Sequence, residues 1–578
     1  SLEITKLTGS KDDKYRDFEL EKYIPGVKES LLYWADEVAA LYDSITMYNP
    51  KVRKIGAFST LTIVEQQLRR LAKKPNDLPK RLTEFSQGTS SVFQYLANFI
   101  QDINNNNLAL DKIYIIQDES SIPDKSNLFA KSASSISRFF ISFGQQAYSV
   151  DNTNPEHLQV WINRPRQNIE IIQKMVDETF TPNTGIEVDV SLMPDPNKLV
   201  LANAAGKAPD VAISVHYVLP HDLAIRGALQ DLREFEDFKE VASRFSPGLF
   251  VPAMIEDKVY ALPETMNFWV LFYRSDILQA MNIPVPDTLE EVKLSLPELQ
   301  RRGMNFYYPT AATGAFKPFF GTLPLIYQHG GSFYAENVGR TTLNSEASLA
   351  GVKELTDLFT IYNMPYDVPN FYQSFRDGTL PMGVSDYFTY NLLINAAPEI
   401  ANSWNIGPFP GIAGSEGEVE RWTTGGGESC IIFNDSLKKQ EAWEYLKWWT
   451  SKEAQVEFGH TLQATYGKEY MWNTANLEAF KELPWDKEHK ETIMKQQEWL
   501  VEAPRVPGTY MLERELSNAY NSIILDGVSL RKAIDLAVKR SNRETNRKLE
   551  EFGYLKDGKM IRPYPVPTIF SLEGEGIK

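Results

Sequence analysis

Apolar residues recur at spacings of three and four positions through the first part of the chain. The clearest stripe covers residues 31–45, and similar stripes run through 61–71 and 92–103. A further helix is expected over 130–145. Spacing near 3.6 residues is typical of amphipathic helices that bury one face. This pattern therefore predicts that residues 1–150 form an all-α domain, an antiparallel helical bundle without strands.

The pattern changes after residues 151–155, whose composition is typical of a loop. Short apolar runs now alternate with helical stripes, and this alternation requires crossover connections between parallel strands. The rest of the chain, from about residue 156, therefore begins with a predicted α/β unit. Its strands are predicted at 157–162, 186–192 and 211–215, and its helices at 168–180 and 198–205.

A long apolar stretch at 260–273 contains Pro263 and Asn267. We interpret it as a segment that leaves one sheet and enters a second, because it is too long for one strand. A second alternation follows, and it predicts a second parallel-sheet lobe. Its predicted strands cover 382–385 and 404–409, and the later predicted helices cover 345–359, 438–450, 490–503 and 528–551.

Composition narrows the class of protein. The 578 residues carry a formal net charge of −16, which disfavours nucleic acid or an anionic membrane as a partner. The single cysteine, Cys430, excludes an intrachain disulfide and lies in an apolar run that predicts burial. No apolar run is long enough to span a membrane. Ser1-Leu2-Glu3 does not begin a secretion signal, so we expect any signal or lipid anchor to be absent from this sequence.

Short motifs follow one another in a fixed order between residues 156 and 555. They are VWINRPR at 160–166, KAPDV at 207–211, YALP at 260–263, YRSD at 273–276, PDTLEE at 286–291 and EAWEYL at 441–446. In this order they resemble the carbohydrate-binding relatives of maltose-binding protein, which are extracellular solute-binding proteins of ABC importers. Residues 1–150 have no counterpart in the short members and resemble the accessory helical domain of longer Gram-positive relatives.

The resemblance implies a two-lobed type II periplasmic-binding-protein fold with hinge-crossing strands. It also implies an extracellular monomer, lipid-anchored to the outer face of the cytoplasmic membrane, that passes an oligosaccharide to the permease subunits of an ABC importer. The implied domains are a helical domain at 1–150, lobe one at 156–270 plus about 425–475, lobe two at 271–420 plus about 476–555, and a tail at 556–578.

Candidate ligand-binding residues lie in the loops at predicted strand ends, where open α/β sheets bind ligands. Sugars need planar polar side chains for their hydroxyls and flat aromatic rings for their apolar faces. Aromatic residues make up 12% of the chain, which favours an oligosaccharide over an ion or a monosaccharide. The candidates are Arg164, Arg166, His216, Tyr217, Asn267, Trp269, Phe319, Phe320, Asp386, Tyr387, Trp422 and Glu428.

Other interpretations of these residues stay open. Trp269 lies in an apolar run and is as well suited to a core. Arg164 and Arg166 are equally suited to surface salt bridges. The run Gly425-Gly426-Gly427 lacks the lysine of a phosphate-binding loop, which favours a close backbone approach. No cofactor is expected, because His216 and His221 lack the spacing of a metal site.

Two other functions compete with transport. A polysaccharide-cleaving enzyme needs two carboxylates across the scissile bond, and Asp386 and Glu428 are the candidates, although no motif pairs them. A sensor or docking protein would use the helical region to recruit a partner. An exposed apolar patch on residues 1–150 would favour that second alternative.

Overall fold

The chain divides into two compact units, residues 1–149 and residues 150–578. The structure, a computed structural model, describes residues 19–48, 56–87, 91–96, 99, 154–193, 196–337, 339–414 and 417–572. Within those ranges, no helix combines the length and apolarity needed to cross a membrane. The expected helix at 130–145 and the end of the one at 92–103 lie outside the described residues.

The first unit is helical wherever it is described. Helices Val27–Tyr48 and Gly56–Ala72 pack against each other, and buried Leu31, Leu68 and Leu71 share one core. The predicted stripe is only partly buried, since Trp34 and Leu41 are each 46% exposed. The other described helical segments of this unit include Leu20–Tyr23, the 3₁₀ helix Pro75–Arg81, the π helix Thr83–Gln87 and residues 92–96.

Nine strands of the second unit form two sheets, and seven of them lie in or close to the stretches predicted from the sequence. The stretch at 260–273 contributes one strand to each sheet, which confirms that it crosses between them. In chain order the strands are β1 (Leu158–Ile162), β2 (Val188–Leu192), β3 (Val211–His216), β4 (Leu262–Pro263), β5 (Val270–Tyr273), β6 (Phe306–Tyr307), β7 (Met382–Ser385), β8 (Asn405–Gly407) and β9 (Glu428–Ile432).

The first sheet has the strand order β2-β1-β3-β9-β4. Strand β1 pairs in parallel with both β2 and β3, as the strand–helix alternation predicts. Strand β9 returns from the second sheet and runs antiparallel to β3, so that Glu428 lies opposite His216. The start of β9 therefore meets the carboxyl ends of β1, β3 and β4 at one edge of the sheet.

The second sheet differs from the prediction of a parallel lobe. Its strand order is β8-β5-β7-β6, and among these strands only β6 and β7 pair in parallel. Strand β5 is antiparallel to both β7 and β8. The physical reason is that β5 enters from the first sheet by a direct crossing, without the helix that would turn it parallel to its neighbours.

Helices cover both sheets. The predicted helix at 490–503 is wrong at its end, because the helix stops at Gln497 and the chain then runs extended beside Thr423. Pro504 and Pro507 follow, and proline disfavours helix in the residue before it. The longer helices are Arg166–Met175, Pro196–Ala204, Leu289–Arg301, Glu346–Thr360, Tyr387–Ala396, Lys439–Trp449, Lys452–Tyr466, Lys487–Gln497, Thr509–Ile524 and Leu530–Glu551.

The segment after the last long helix is packed against the second unit. Strands Leu555–Lys556 and Lys559–Met560 form a hairpin. Tyr564 is fully buried, and its hydroxyl donates to the carbonyl oxygen of Arg505 at 3.2 Å. Arg233 donates to the carbonyl oxygen of Ser571 at 2.6 Å. Residues 555–572 are therefore an ordered part of the unit and hold the chain around Arg505 in place.

Candidate ligand-binding site

Polar side chains gather at the sheet edge where β9 begins. Arg164 follows β1, Tyr217 follows β3, and Glu428 is the first residue of β9 opposite His216. Strand direction explains this grouping, because the carboxyl ends of parallel strands and the start of an antiparallel neighbour meet at the same edge. The structure thus brings together four candidates from three distant parts of the sequence.

Arg164 is held between a carboxylate and an aromatic ring. Its guanidinium forms an ion pair with Glu428, and it lies 4.6 Å from the centroid of the Trp472 ring. The Arg164 side chain is 17% exposed and that of Glu428 is 29% exposed. Burial raises the pKa of Glu428 to about 7, although Arg164 opposes the shift. Removing one partner of this half-buried pair is therefore more costly than breaking the surface salt bridge considered from the sequence.

A second carboxylate lies behind this pair. Glu264 directly follows β4, is 1% exposed, and accepts a hydrogen bond from the indole nitrogen of Trp449 at 2.9 Å. Burial raises its pKa, and the charge of Arg164 acts in the opposite direction. Its second oxygen, Oε2, has no hydrogen-bond partner among the described residues. Arg164 is therefore the cation that balances two buried carboxyl groups.

The glycine run before β9 approaches other chain segments closely. A Cβ on Gly427 would lie 2.4 Å from the carbonyl oxygen of Thr265, and one on Gly426 would lie 2.9 Å from the Tyr217 ring. The amides of Gly425 and Gly426 both donate to one oxygen of Glu502, with a distance of 2.7 Å from Gly425. These glycines allow close backbone packing and hold a buried carboxyl group.

Arg505 lies next to Tyr217 on the same extended segment as Glu502. It is 5% exposed, and its guanidinium carbon is 5.9 Å from the centroid of the Tyr217 ring. Burial raises the pKa of Glu502 to about 7, and both Gly426 and Gly425 oppose the shift by donating to the carboxylate. The site thus contains a second arginine and a third carboxyl group, both of them buried.

The crossing between the sheets positions another polar group. Asn267 donates from Nδ2 to Asp386 at 3.2 Å and accepts from the backbone nitrogen of Tyr387 at 3.1 Å. Asp386 also caps the helix Tyr387–Ala396 by accepting from the nitrogen of Thr389 at 3.3 Å. Burial raises the pKa of Asp386. Asn267, Asp386 and Tyr387 are therefore brought together by the pairing of β5 with β7.

The aromatic candidates fall into two environments. The rings of Trp269 and Phe320 are stacked, with centroids 4.6 Å apart and planes 15° apart. Trp269 is 7% exposed, whereas Phe320 is half-buried. Phe319 is 1% exposed and packs against Phe333, so the structure places it in a hydrophobic core. Of these rings, that of Phe320 is the most open to a ligand.

Two candidates lie apart from this group. The Arg166 side chain is 87% exposed and pairs with Glu170 one helical turn away at 3.5 Å. Trp422 packs edge-on against Trp499 and donates to Glu420 at 2.6 Å. Trp422 also lines a cavity of ≈ 360 Å³ together with Phe333 and Val566. Among the residues that the structure describes, no hydrogen bond, ion pair or ring contact joins the side chain of either residue to the sheet edge.

Sequence reasoning missed Glu264, Trp472, Glu502 and Arg505. Glu264 directly follows the YALP motif and could have been found there. Glu502 lies within the predicted helix at 490–503, and Arg505 lies two residues beyond it, whereas the helix ends at Gln497 in the structure. The two prolines that bracket Arg505, Pro504 and Pro507, were the available signal against a helix.

Comparisons with known proteins agree with this architecture. Residues 1–103 match the family described as bacterial solute-binding protein, 4-helix bundle domain. Residues 166–456, half of the chain, match the family described as bacterial extracellular solute-binding protein. A binding protein of Brucella abortus is 24% identical over 362 residues, which cover 59% of this chain and 82% of that protein.

Solved structures show the same fold at low sequence identity. The sugar-binding protein MalE from Xanthomonas citri is 17% identical with a TM-score of 0.58, covering 69% of this chain and 100% of that one. An extracellular solute-binding protein from Staphylococcus aureus, in complex with maltose, is 16% identical with a TM-score of 0.55, covering 68% and 98%. The predicted fold class is confirmed: this chain belongs to the bacterial extracellular solute-binding protein family and carries an N-terminal four-helix bundle domain.

Proposed function

We propose that the protein captures an oligosaccharide outside the cell and delivers it to the permease subunits of an ABC importer. The ligand would lie between lobe one, residues 156–270 plus about 425–475, and lobe two, residues 271–420 plus about 476–555. The protein would act as a monomer anchored by lipid to the outer face of the cytoplasmic membrane. It would bind its ligand without chemical change.

One observation carries this proposal. Polar groups gather at the start of β9, with Arg164, Tyr217 and Glu428 among them. Asn267 donates to the carbonyl oxygen of Gly425 at 3.0 Å, just before β9, and the chain leads from Asn267 to Trp269, whose ring stacks on that of Phe320. Fixed polar groups suit sugar hydroxyls, and open aromatic faces suit the C–H faces of sugar rings. The relatives support this ligand class, since one solved structure holds maltose and another, a cyclo/maltodextrin-binding protein, holds maltotetraose.

Calorimetric titration with a panel of plant and bacterial oligosaccharides tests the proposal. We expect at least one saccharide to bind and to raise the melting temperature, because a ligand that binds only the folded state stabilises it. Chromatography of the titrated mixture should recover the saccharide unchanged. Cleaved product would favour an enzyme, and a panel without any binder would contradict carbohydrate capture.

A matched pair of aromatic variants tests the position of the site. Phe320→Ala should weaken binding about tenfold, because a ring contact contributes roughly 1 kcal/mol beyond its buried area. Tyr366→Ala provides the control, since Tyr366 is 59% exposed and lies outside the residues gathered at the sheet edge. Equal affinities of the two variants would place the ligand away from Phe320.

A docking role for the helical unit is a second candidate. Helix Val27–Tyr48 exposes Tyr33 by 60%, Trp34 by 46%, Leu41 by 46% and Met47 by 85%. Exposed apolar patches on soluble proteins mark interaction sites. The double variant Trp34→Ser with Leu41→Ser should leave saccharide affinity unchanged but reduce uptake by cells. Unchanged uptake would argue against docking through this patch.

A further inference from the structure

Arg505 is a buried cation without a carboxylate partner. It is 5% exposed, and its Nε has no hydrogen-bond partner among the described residues. Within the same part of the chain, no carboxylate oxygen lies within 4.0 Å of its guanidinium nitrogens. Buried charges in proteins are normally paired, because an unpaired charge loses its hydration without compensation. The guanidinium therefore has bonding capacity that the protein leaves unused.

The carboxylates around Arg505 are engaged elsewhere. Glu502 directs one oxygen to the amides of Gly425 and Gly426, and its Oε2 has no partner. Glu513 accepts from the backbone nitrogen of Phe319 at 3.0 Å. Neither carboxylate forms an ion pair with Arg505, so the positive charge at this position is not neutralised by direct contact within the described chain.

Asp222 also interacts electrostatically with Arg505, but its carboxylate is 62% exposed and lies 3.8 Å from His221. The other neighbours of the guanidinium are neutral. The Tyr217 ring lies 5.9 Å from the guanidinium carbon. His216 and His221 both have a lowered pKa, caused mainly by burial and in part by Arg505. Tyr217 itself directly follows β3 at the sheet edge. The unpaired cation thus lies behind a candidate ligand-binding residue.

The charge and planar donors of the guanidinium indicate which ligand group would pair with it. A carboxylate matches its planar donors with two parallel hydrogen bonds and cancels its charge. A neutral hydroxyl can accept one hydrogen bond but leaves the charge uncompensated. The tyrosine hydroxyl beside the guanidinium supplies a further donor for the same carboxylate.

We propose that Arg505, together with Tyr217, binds the carboxylate of a uronic acid in the captured oligosaccharide. This assignment rests on the proposed function, and it narrows the ligand to an acidic saccharide. The acidic surface of the protein, with its net charge of −16, does not prevent it, because a charge pair formed at close range in a buried site outweighs screened surface repulsion.

Calorimetric titration with paired probes tests the assignment. Each pair consists of an acidic trisaccharide and its neutral counterpart with the same linkage, such as α-1,4-linked trigalacturonate and galactotriose. We expect an acidic member to bind at least about 100-fold more tightly than its neutral counterpart, in the range measured for buried charge pairs at interfaces. A neutral member that binds as tightly would overturn the assignment but leave carbohydrate capture intact, whereas no binding by any saccharide would contradict the capture itself.

Variants separate a direct contact from a structural effect. Arg505→Met should remove the acidic preference, and Arg505→Lys should restore part of it, because lysine keeps the charge without the planar donors. Arg301→Met, on an arginine that is 72% exposed, is the matched control and should behave as the unaltered protein. Circular dichroism and melting temperature establish that each variant is folded. Retention of the full acidic preference by Arg505→Met would refute the proposal.

Discussion

Two arginines near the same sheet edge differ in their electrostatic surroundings. Arg164 forms an ion pair with Glu428, lies over the Trp472 ring, and faces the buried Glu264. Arg505 has a glutamate three residues away in the chain, but that carboxylate accepts from backbone amides instead. Arg164 therefore stabilises the protein itself, whereas the charge and hydrogen-bond donors of Arg505 can pair with a ligand.

The largest expected effect is the loss of the Arg164 charge. Arg164→Ala leaves Glu428 and Glu264 without their cation, and removing one partner of a buried pair costs about 3 kcal/mol of unfolding free energy. Urea unfolding followed by tryptophan fluorescence measures the change. A loss below about 1 kcal/mol would mean that the pair is solvated like a surface salt bridge.

The second-largest loss of unfolding free energy is expected at Glu502, whose carboxyl group accepts from the glycine amides. Glu502→Ala would leave the amides of Gly425 and Gly426 unpaired, at a cost of about 2 kcal/mol in unfolding free energy. Glu502→Gln keeps an accepting oxygen and should lose less than about 1 kcal/mol. Equal losses in the two variants would show that the negative charge, and not the accepting oxygen, stabilises the glycine run.

The same carboxyl group should make stability depend on pH. Burial raises the pKa of Glu502 to about 7, above the value of about 4.3 for an unfolded glutamate. Between those values the folded state binds more protons, so its stability falls as pH rises through this window and levels off above it. Melting temperatures from pH 4.5 to 8 should fall less steeply for Glu502→Gln. Glu428, whose pKa is also raised to about 7, should retain part of the slope.

Loss of the Arg505 charge should have a smaller effect on the free protein. Arg505→Met removes a cation without an ion-pair partner, so the unfolding free energy should stay within about 1 kcal/mol of the original or increase. Urea unfolding without saccharide, run beside Arg164→Ala, makes the comparison direct. A loss as large as that of Arg164→Ala would show that Arg505 is neutralised within the protein.

The smallest effect is expected at Arg166. Its side chain is 87% exposed and forms only a pair with Glu170 on the same helix. Exposed pairs of this spacing contribute about 0.3–0.5 kcal/mol, so Arg166→Ala should change the unfolding free energy by no more than that. A larger loss, again measured by urea unfolding, would indicate a contact of Arg166 beyond the helix.

Much of the site followed from strand direction. The sequence placed Arg164, His216, Tyr217 and Glu428 at strand ends, and the observed pairing of β1, β3 and β9 brings those ends together. The assignment of these residues to ligand binding stays a prediction, as do the lobe boundaries. Arg166 was grouped with them by its position in the chain, but a residue on the first turn of a helix can face solvent.

Other features lay beyond local patterns. The antiparallel course of β5 depends on the direct crossing from the first sheet. The extended course after Gln497 depends on hydrogen bonds to Thr423, which donates to the carbonyl oxygen of Trp499 at 3.0 Å and accepts from Val501 at 2.9 Å. Long-range pairing of this kind overrides the local helical pattern at 490–503.

Periodicity and motif order by themselves determined the helical first unit, the α/β second unit and the crossing at 260–273, because burial of one face requires a fixed spacing of apolar residues. Tertiary structure alone decided how the charges are paired. Arg164 obtains its partner from a residue 264 positions away, and Glu502 is bound by amides 76 and 77 positions away. Charge balance in a buried site depends on which chain segments meet, and no local pattern in the sequence specifies that for Arg505.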